Sequence, residues 1–79
     1  MEIEILTPKG LEFKGDATDL ILPTQMGQIS VLPNHAPLVS VLKAGKMKIK
    51  TSQEELVKEI EGGILEVSQN QAVILLKKF

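Results

Sequence analysis

A chain of 79 residues is one domain at most, and it has to build its core almost entirely from aliphatic side chains, because aromatics make up only 3% of it. With no cysteine, disulfide scaffolds and thiolate zinc sites are excluded. The net charge of -1 and the absence of arginine leave no basic field for nucleic acid and no bidentate clamp for phosphate.

In chain order, short apolar runs alternate with turn residues. Glu2-Ile3-Glu4-Ile5 opens with period-two alternation, quite unlike a signal peptide. Thr7-Pro8-Lys9-Gly10 is a turn, and Leu11-Glu12-Phe13-Lys14 repeats the alternation. Leu20-Ile21-Leu22 is apolar throughout, as in a strand covered on both sides or packed at a partner. After Pro23 to Gly27, the run Ile29-Ser30-Val31 leads into Pro33-Asn34-His35-Ala36-Pro37. Two prolines fix φ on either side of Asn-His-Ala and stiffen that loop.

Leu38 to Leu42 carries more apolar residues than one buried face needs, which points to a partner covering part of Pro37 to Leu42. Lys46-Met47-Lys48-Ile49-Lys50 is the clearest half-buried strand, with Met47 and Ile49 inward and three lysines in water. Ser52-Gln53-Glu54-Glu55 resembles a capping box, and Leu56, Val57 and Ile60 fit a helical stripe. A helix that short is marginal, so Glu55 to Glu61 is predicted as a strand, with a short helix as the alternative. Gly62-Gly63 precedes a strand at Ile64 to Val67 rather than a helix, which favours a bulge or close strand crossing over a phosphate cradle. Gln69-Asn70 is a tight turn with Asn70 suited to positive φ. Val73-Ile74-Leu75-Leu76 closes the chain as an apolar strand, and the longest apolar run, Ala72 to Leu76, is far too short to span a bilayer. Many short strands with regular turn signals predict a sandwich or barrel.

His35 is the only histidine and the natural candidate for proton transfer. It would need a nucleophile and an orienting group. Ser30, Ser40 and Asp19 carry no recognisable spacing, and no Gly-x-Ser-x-Gly elbow exists. One histidine with scattered carboxylates makes no metal site. No catalytic, cofactor-binding or metal-ligating residue is assigned. The residues leave an interaction module as the leading reading, with a small ligand-binding β module or a His35-dependent hydrolase as alternatives.

The stretch Gly27-Gln28-Ile29-Ser30-Val31-Leu32-Pro33-Asn34-His35-Ala36-Pro37-Leu38 resembles the signature of the epsilon subunit of F-type ATP synthases. Thr7-Pro8 and Phe13-Lys14-Gly15 before it, then Lys43-Ala44-Gly45 and Glu61-Gly62-Gly63 with Glu66-Val67 and Asn70 after it, match the family in order over essentially the whole chain, 1–79. The resemblance implies an all-β fold, a flattened sandwich of two roughly five-stranded antiparallel sheets, here without the family's C-terminal helical hairpin. It implies a non-catalytic rotor subunit of the central stalk, docked on the gamma subunit and on the polar loops of the c-ring, coupling proton transport to ATP synthesis. By the same resemblance the partner interface comprises Gln28, Pro33, Asn34, His35, Ala36, Pro37 and Leu38, with Gln28 where a Glu is usual. Hairpin-mediated inhibition of ATP hydrolysis is expected to be absent, as are cofactors, nucleic acid and direct membrane insertion. The expected location is peripheral, on the cytoplasmic face of a bacterial inner membrane or the equivalent membrane of an organelle.

Overall fold

The computed structural model describes residues 1–79 as nine β-strands and no helix. They are β1 Glu2–Thr7, β2 Gly10–Asp16, β3 Asp19–Thr24, β4 Gly27–Val31, β5 Leu38–Leu42, β6 Gly45–Lys50, β7 Glu55–Ile60, β8 Gly63–Ser68 and β9 Gln71–Leu76. Five of them form one layer in the order β2-β1-β9-β8-β5, and four form the other in the order β4-β3-β6-β7. A single bridge, Thr24 opposite Leu42, joins the layers into one curled sheet. The second layer has four strands, and one pair departs from the antiparallel expectation. β9 returns alongside β1 in parallel, with Glu2 opposite Gln71 and Ile5 opposite Ile74. Forty of the 47 backbone hydrogen bonds lie within these ladders, so pairing rather than local helix formation holds the chain.

Alternation decides what each strand buries. Ile3 and Ile5 of β1, Leu20 and Leu22 of β3, Met47 and Ile49 of β6, Leu65 and Val67 of β8, and Ala72, Ile74 and Leu76 of β9 point between the layers. They belong to one aliphatic core of 16 buried residues, against which Phe13, Ile29, Leu38 and Leu56 pack from the rim. Fully burying one such aliphatic side chain contributes about 1.5–3 kcal/mol, so this inner face dominates the stability of a domain without helices or cross-links.

Two turn readings are settled by geometry. Glu55–Ile60 is a strand, paired along its whole length with β6 from Lys50–Glu55 to Gly45–Ile60. The apparent capping box closes a hairpin instead, and the capping residue is Thr51. Its hydroxyl accepts from the amides of Gln53 and Glu54 at 3.2 and 3.0 Å. At the β8–β9 hairpin, Gln69 and Asn70 both have positive φ, 50° and 59°, the geometry of a two-residue type I′ turn. Gly63 marks a close strand crossing. A Cβ there would land on the Leu75 carbonyl oxygen and sit 2.9 Å from Leu76 Cδ2.

Candidate docking surface

The strand directions sort the connections onto two ends of the sandwich. The β2–β3, β4–β5, β6–β7 and β8–β9 connections share one end, and the β1–β2, β3–β4, β5–β6 and β7–β8 connections share the other. The Pro33–Pro37 loop, between β4 and β5, lies at the first end beside the Gln69-Asn70 turn. The Asn34 amide donates to the Asn70 side-chain oxygen at 2.7 Å, and the Glu2 amide donates to the Asn70 carbonyl at 3.2 Å. Asn70 therefore ties the loop to β1 and to its own hairpin.

Within the loop, Asn34 has φ 65° and the His35 amide donates to the Leu32 carbonyl at 3.1 Å. The imidazole Nδ1 lies 2.6 Å from the Ala36 carbonyl. A carbonyl only accepts, so Nδ1 carries the proton in this contact. His35 sits on an exposed loop, and its own hydrogen bonds run to main-chain carbonyls. No group of three or more His, Cys, Asp or Glu side chains gathers anywhere in the chain.

Of the seven residues assigned to a partner interface, Pro33, Asn34, His35, Ala36 and Pro37 are all exposed and contiguous. Leu38 turns inward and packs half-buried against the core. Gln28 is exposed but lies near the opposite end, at the start of β4 beside the β3–β4 tip. Five steps of extended chain separate it from Pro33, roughly 17 Å at about 3.3 Å per residue. The β3–β4 tip is pinned by Thr24, whose buried hydroxyl donates to the Gly27 carbonyl at 2.6 Å and accepts from the Met26 amide at 3.1 Å. It carries Met26 almost fully into solvent, 96% exposed.

A second feature emerges only from the register. On the outer face of the five-stranded layer, Val41 is opposite Ile64, Ile64 opposite Leu75, Leu75 opposite Leu6 and Leu6 opposite Leu11. One aliphatic side chain from every strand thus falls into a single row across the sheet. Leu11, Val41, Ile64 and Leu75 are 45–55% exposed, and Val39 on the next row is 69% exposed. Beside this row a shallow depression of about 480 Å³ opens over Val41, Ile64, Leu75, Gly62 and Gly63. The outer face of the four-stranded layer is different. There Lys46, Lys48 and Lys50 stand opposite Glu59, Val57 and Glu55, and Lys50 Nζ lies 3.8 Å from Glu55.

Exposed single hydrophobics are ordinary, whereas a contiguous apolar row on a folded surface marks contact with another molecule. The fold defines a small β-sandwich domain with one apolar outer face. The match to known families is specific: the family described as ATP synthase, Delta/Epsilon chain, beta-sandwich domain covers residues 1–79, and this chain belongs to it. The chain is 40% identical over 75 residues to the ATP synthase epsilon chain of Chlorobium limicola, spanning 94% of this chain and 85% of that one. It is 35% identical over 75 residues to the epsilon chain of Leptospira interrogans, and 40% identical over 76 residues to the chloroplastic epsilon chain of Tupiella akineta. It spans only 59% and 58% of those two proteins. The same fold occurs in the mitochondrial ATP synthase of Euglena gracilis, with a TM-score of 0.89 at 18% identity over 96% of this chain and 49% of that one. It also occurs in the central stalk and c-ring structure from Tetrahymena thermophila, with a TM-score of 0.83 at 19% identity over 96% of this chain and 62% of that one.

Proposed function

We propose that this domain is a non-catalytic central-stalk element of an F-type ATP synthase. It docks on the gamma subunit and on the polar loops of the c-ring, turns with them, and so couples proton transport to ATP synthesis. The observation that carries this reading is the unbroken aliphatic row on one outer face of a chain belonging to this family. Val39 and Val41 extend that row along β5 toward the rigid Pro33–Pro37 loop, and together they form the gamma surface. Gln28, beside the exposed Met26 tip, lies at the other end and faces the c-ring loops.

A rotor part has to pass torque without yielding. Nine strands held by ladder hydrogen bonds around a close-packed core deform less readily than a loop-rich domain. In this reading attachment to the membrane sector runs through the partners, at the peripheral location expected for the F1 sector; no helix is long and apolar enough to cross a membrane. Residues 1–79 contain no helix, and in this reading hairpin-mediated inhibition is not among their roles.

Co-purification with gamma and the c-ring tests the proposal. Replacing Pro33 to Pro37 together should lower capture on gamma at least tenfold, and Gln28→Ala should weaken only the c-ring contact. Undiminished capture with all five loop residues altered would reject the assigned surface. His35→Ala separates the hydrolase alternative: a hydrolytic activity in the isolated chain that this substitution abolishes would overturn the rotor reading.

A further inference from the structure

We infer that the free chain pairs with a second copy of itself through the aliphatic row of the five-stranded layer, in a weak two-fold dimer held in register by Glu66 against Lys43 and Lys77. The charges flanking the row carry this inference. Two residues to one side of Val41, Ile64, Leu75 and Leu6 stand Val39, Glu66, Val73 and Glu4. Two residues to the other side stand Lys43, Gly62, Lys77 and Pro8. Across β5, β8 and β9 the one acid, Glu66, lies on one flank and Lys43 and Lys77 lie on the other, while at the β1–β2 edge Glu4 stands opposite Lys14.

A two-fold axis running along the row lays each copy's acidic flank over the other's basic flank, while the aliphatic side chains meet across the axis. Aligned face-to-face packing of two sheets about 10 Å apart accommodates this arrangement. Glu66 then lies over Gly62, where no side chain opposes it, between the lysines that end β5 and β9. These charges are available, because the chain's four ion pairs use neither Glu66, Lys43 nor Lys77. Glu4 on the same flank is already engaged by Lys14 at 3.8 Å, and Glu61 on the other by Lys78 at 3.3 Å. The alternative two-fold, perpendicular to the row, sets Glu66 against glutamates and is disfavoured.

The patch measures roughly 19 Å across five strands and 13 Å along them, far below the roughly 800 Å² that each partner contributes to a standard interface. The dimer is accordingly weak, with a dissociation constant on the order of 10⁻⁴ M. Pairing shields the row in the free chain and yields when gamma takes the same face. Its existence does not depend on the gamma reading, since the register rests on the flanking charges of Glu66, Lys43 and Lys77.

Sedimentation of the isolated chain from 10 µM to 1 mM, at about 20 and 500 mM salt, tests this. The expected result is a concentration-dependent dimer that high salt weakens several-fold. Glu66→Lys should raise the dissociation constant about tenfold. Adding Lys43→Glu and Lys77→Glu to that variant should restore it to within threefold, because the flanks are merely exchanged. Leu75→Thr, which keeps a strand-forming residue, should abolish pairing while far-ultraviolet circular dichroism stays unchanged. A wild-type chain that remains monomeric through 1 mM overturns the inference even if it still binds gamma, because gamma alone then covers the face. A dimer indifferent to Glu66→Lys and to its triple exchange also overturns it.

Discussion

Across the five-stranded layer the outer row through Ile64 reads Leu11, Leu6, Leu75, Ile64, Val41; across the four-stranded layer the outer row through Lys48 reads Ser30, Ile21, Lys48, Val57. Both faces are built from alternating strands, and both back onto the same core. Folding therefore constrains the inner residues of each layer and leaves the outer ones free. Lysines and glutamates on the β6–β7 face keep that surface and its edge strand solvated and resistant to edge pairing. Aliphatics on the other face add nothing to the interior and leave a contiguous apolar row in water, the pattern of a surface that meets another molecule. The contrast separates what the domain needs to fold from what it needs to bind.

Neighbouring residues of β8 break or sharpen this contrast most strongly. Leu65 is fully buried, and Leu65→Ala should cost about 3 kcal/mol of unfolding free energy by urea titration. Ile64→Ala, one residue away, should cost less than about 1 kcal/mol yet lower affinity for gamma at least tenfold by calorimetry. Equal losses of stability at the two positions would mean that the row is structural. Gly63 stands where the inner and outer surfaces meet, with the Leu75 carbonyl in the way of any Cβ. Gly63→Ala should destabilise by about 2 kcal/mol by forcing β8 away from β9. Asn70→Gly keeps the turn's positive φ but removes the acceptor for the Asn34 amide. It should cost about 0.5–1 kcal/mol and speed hydrogen exchange at Asn34, with the core amides unaffected. At the small end, Lys48→Gln on the charged face should change stability by less than about 0.5 kcal/mol and leave gamma affinity unchanged.

The strands were legible because period-two alternation is local. Lys46 to Lys50 announces its buried face unaided, and so do Ile3 and Ile5. The segment Leu56, Val57, Ile60 was not decidable that way, since its apolar spacing also fits a helix. What fixes it is β6, a partner strand elsewhere in the chain, together with Thr51 closing the turn. The parallel return of β9 beside β1 has no signal in either strand.

The candidate surface was partly visible. The surplus of apolar residues at Val39, Val41 and Leu75 is apparent in the sequence, and so is the rigidity of the Pro33–Pro37 loop. The row itself is not, because Leu6, Leu11, Val41, Ile64 and Leu75 are scattered over 70 residues and only the pairing register aligns them. Gln28 and the loop stand apart because β4 runs from one end of the sandwich to the other, which only the pairing shows. Leu38 adjoins the loop in the chain, yet alternation in β5 turns it half-buried against the core.

The chain has no cysteine, so one introduced thiol reports one position. The decisive measurement is the alkylation rate of Ile64→Cys and of Lys48→Cys, each in dilute free chain and again after binding gamma. The account predicts at least tenfold protection at position 64 and an unchanged rate at position 48. Protection at position 48 with position 64 still reactive would place the partner on the charged face and contradict it.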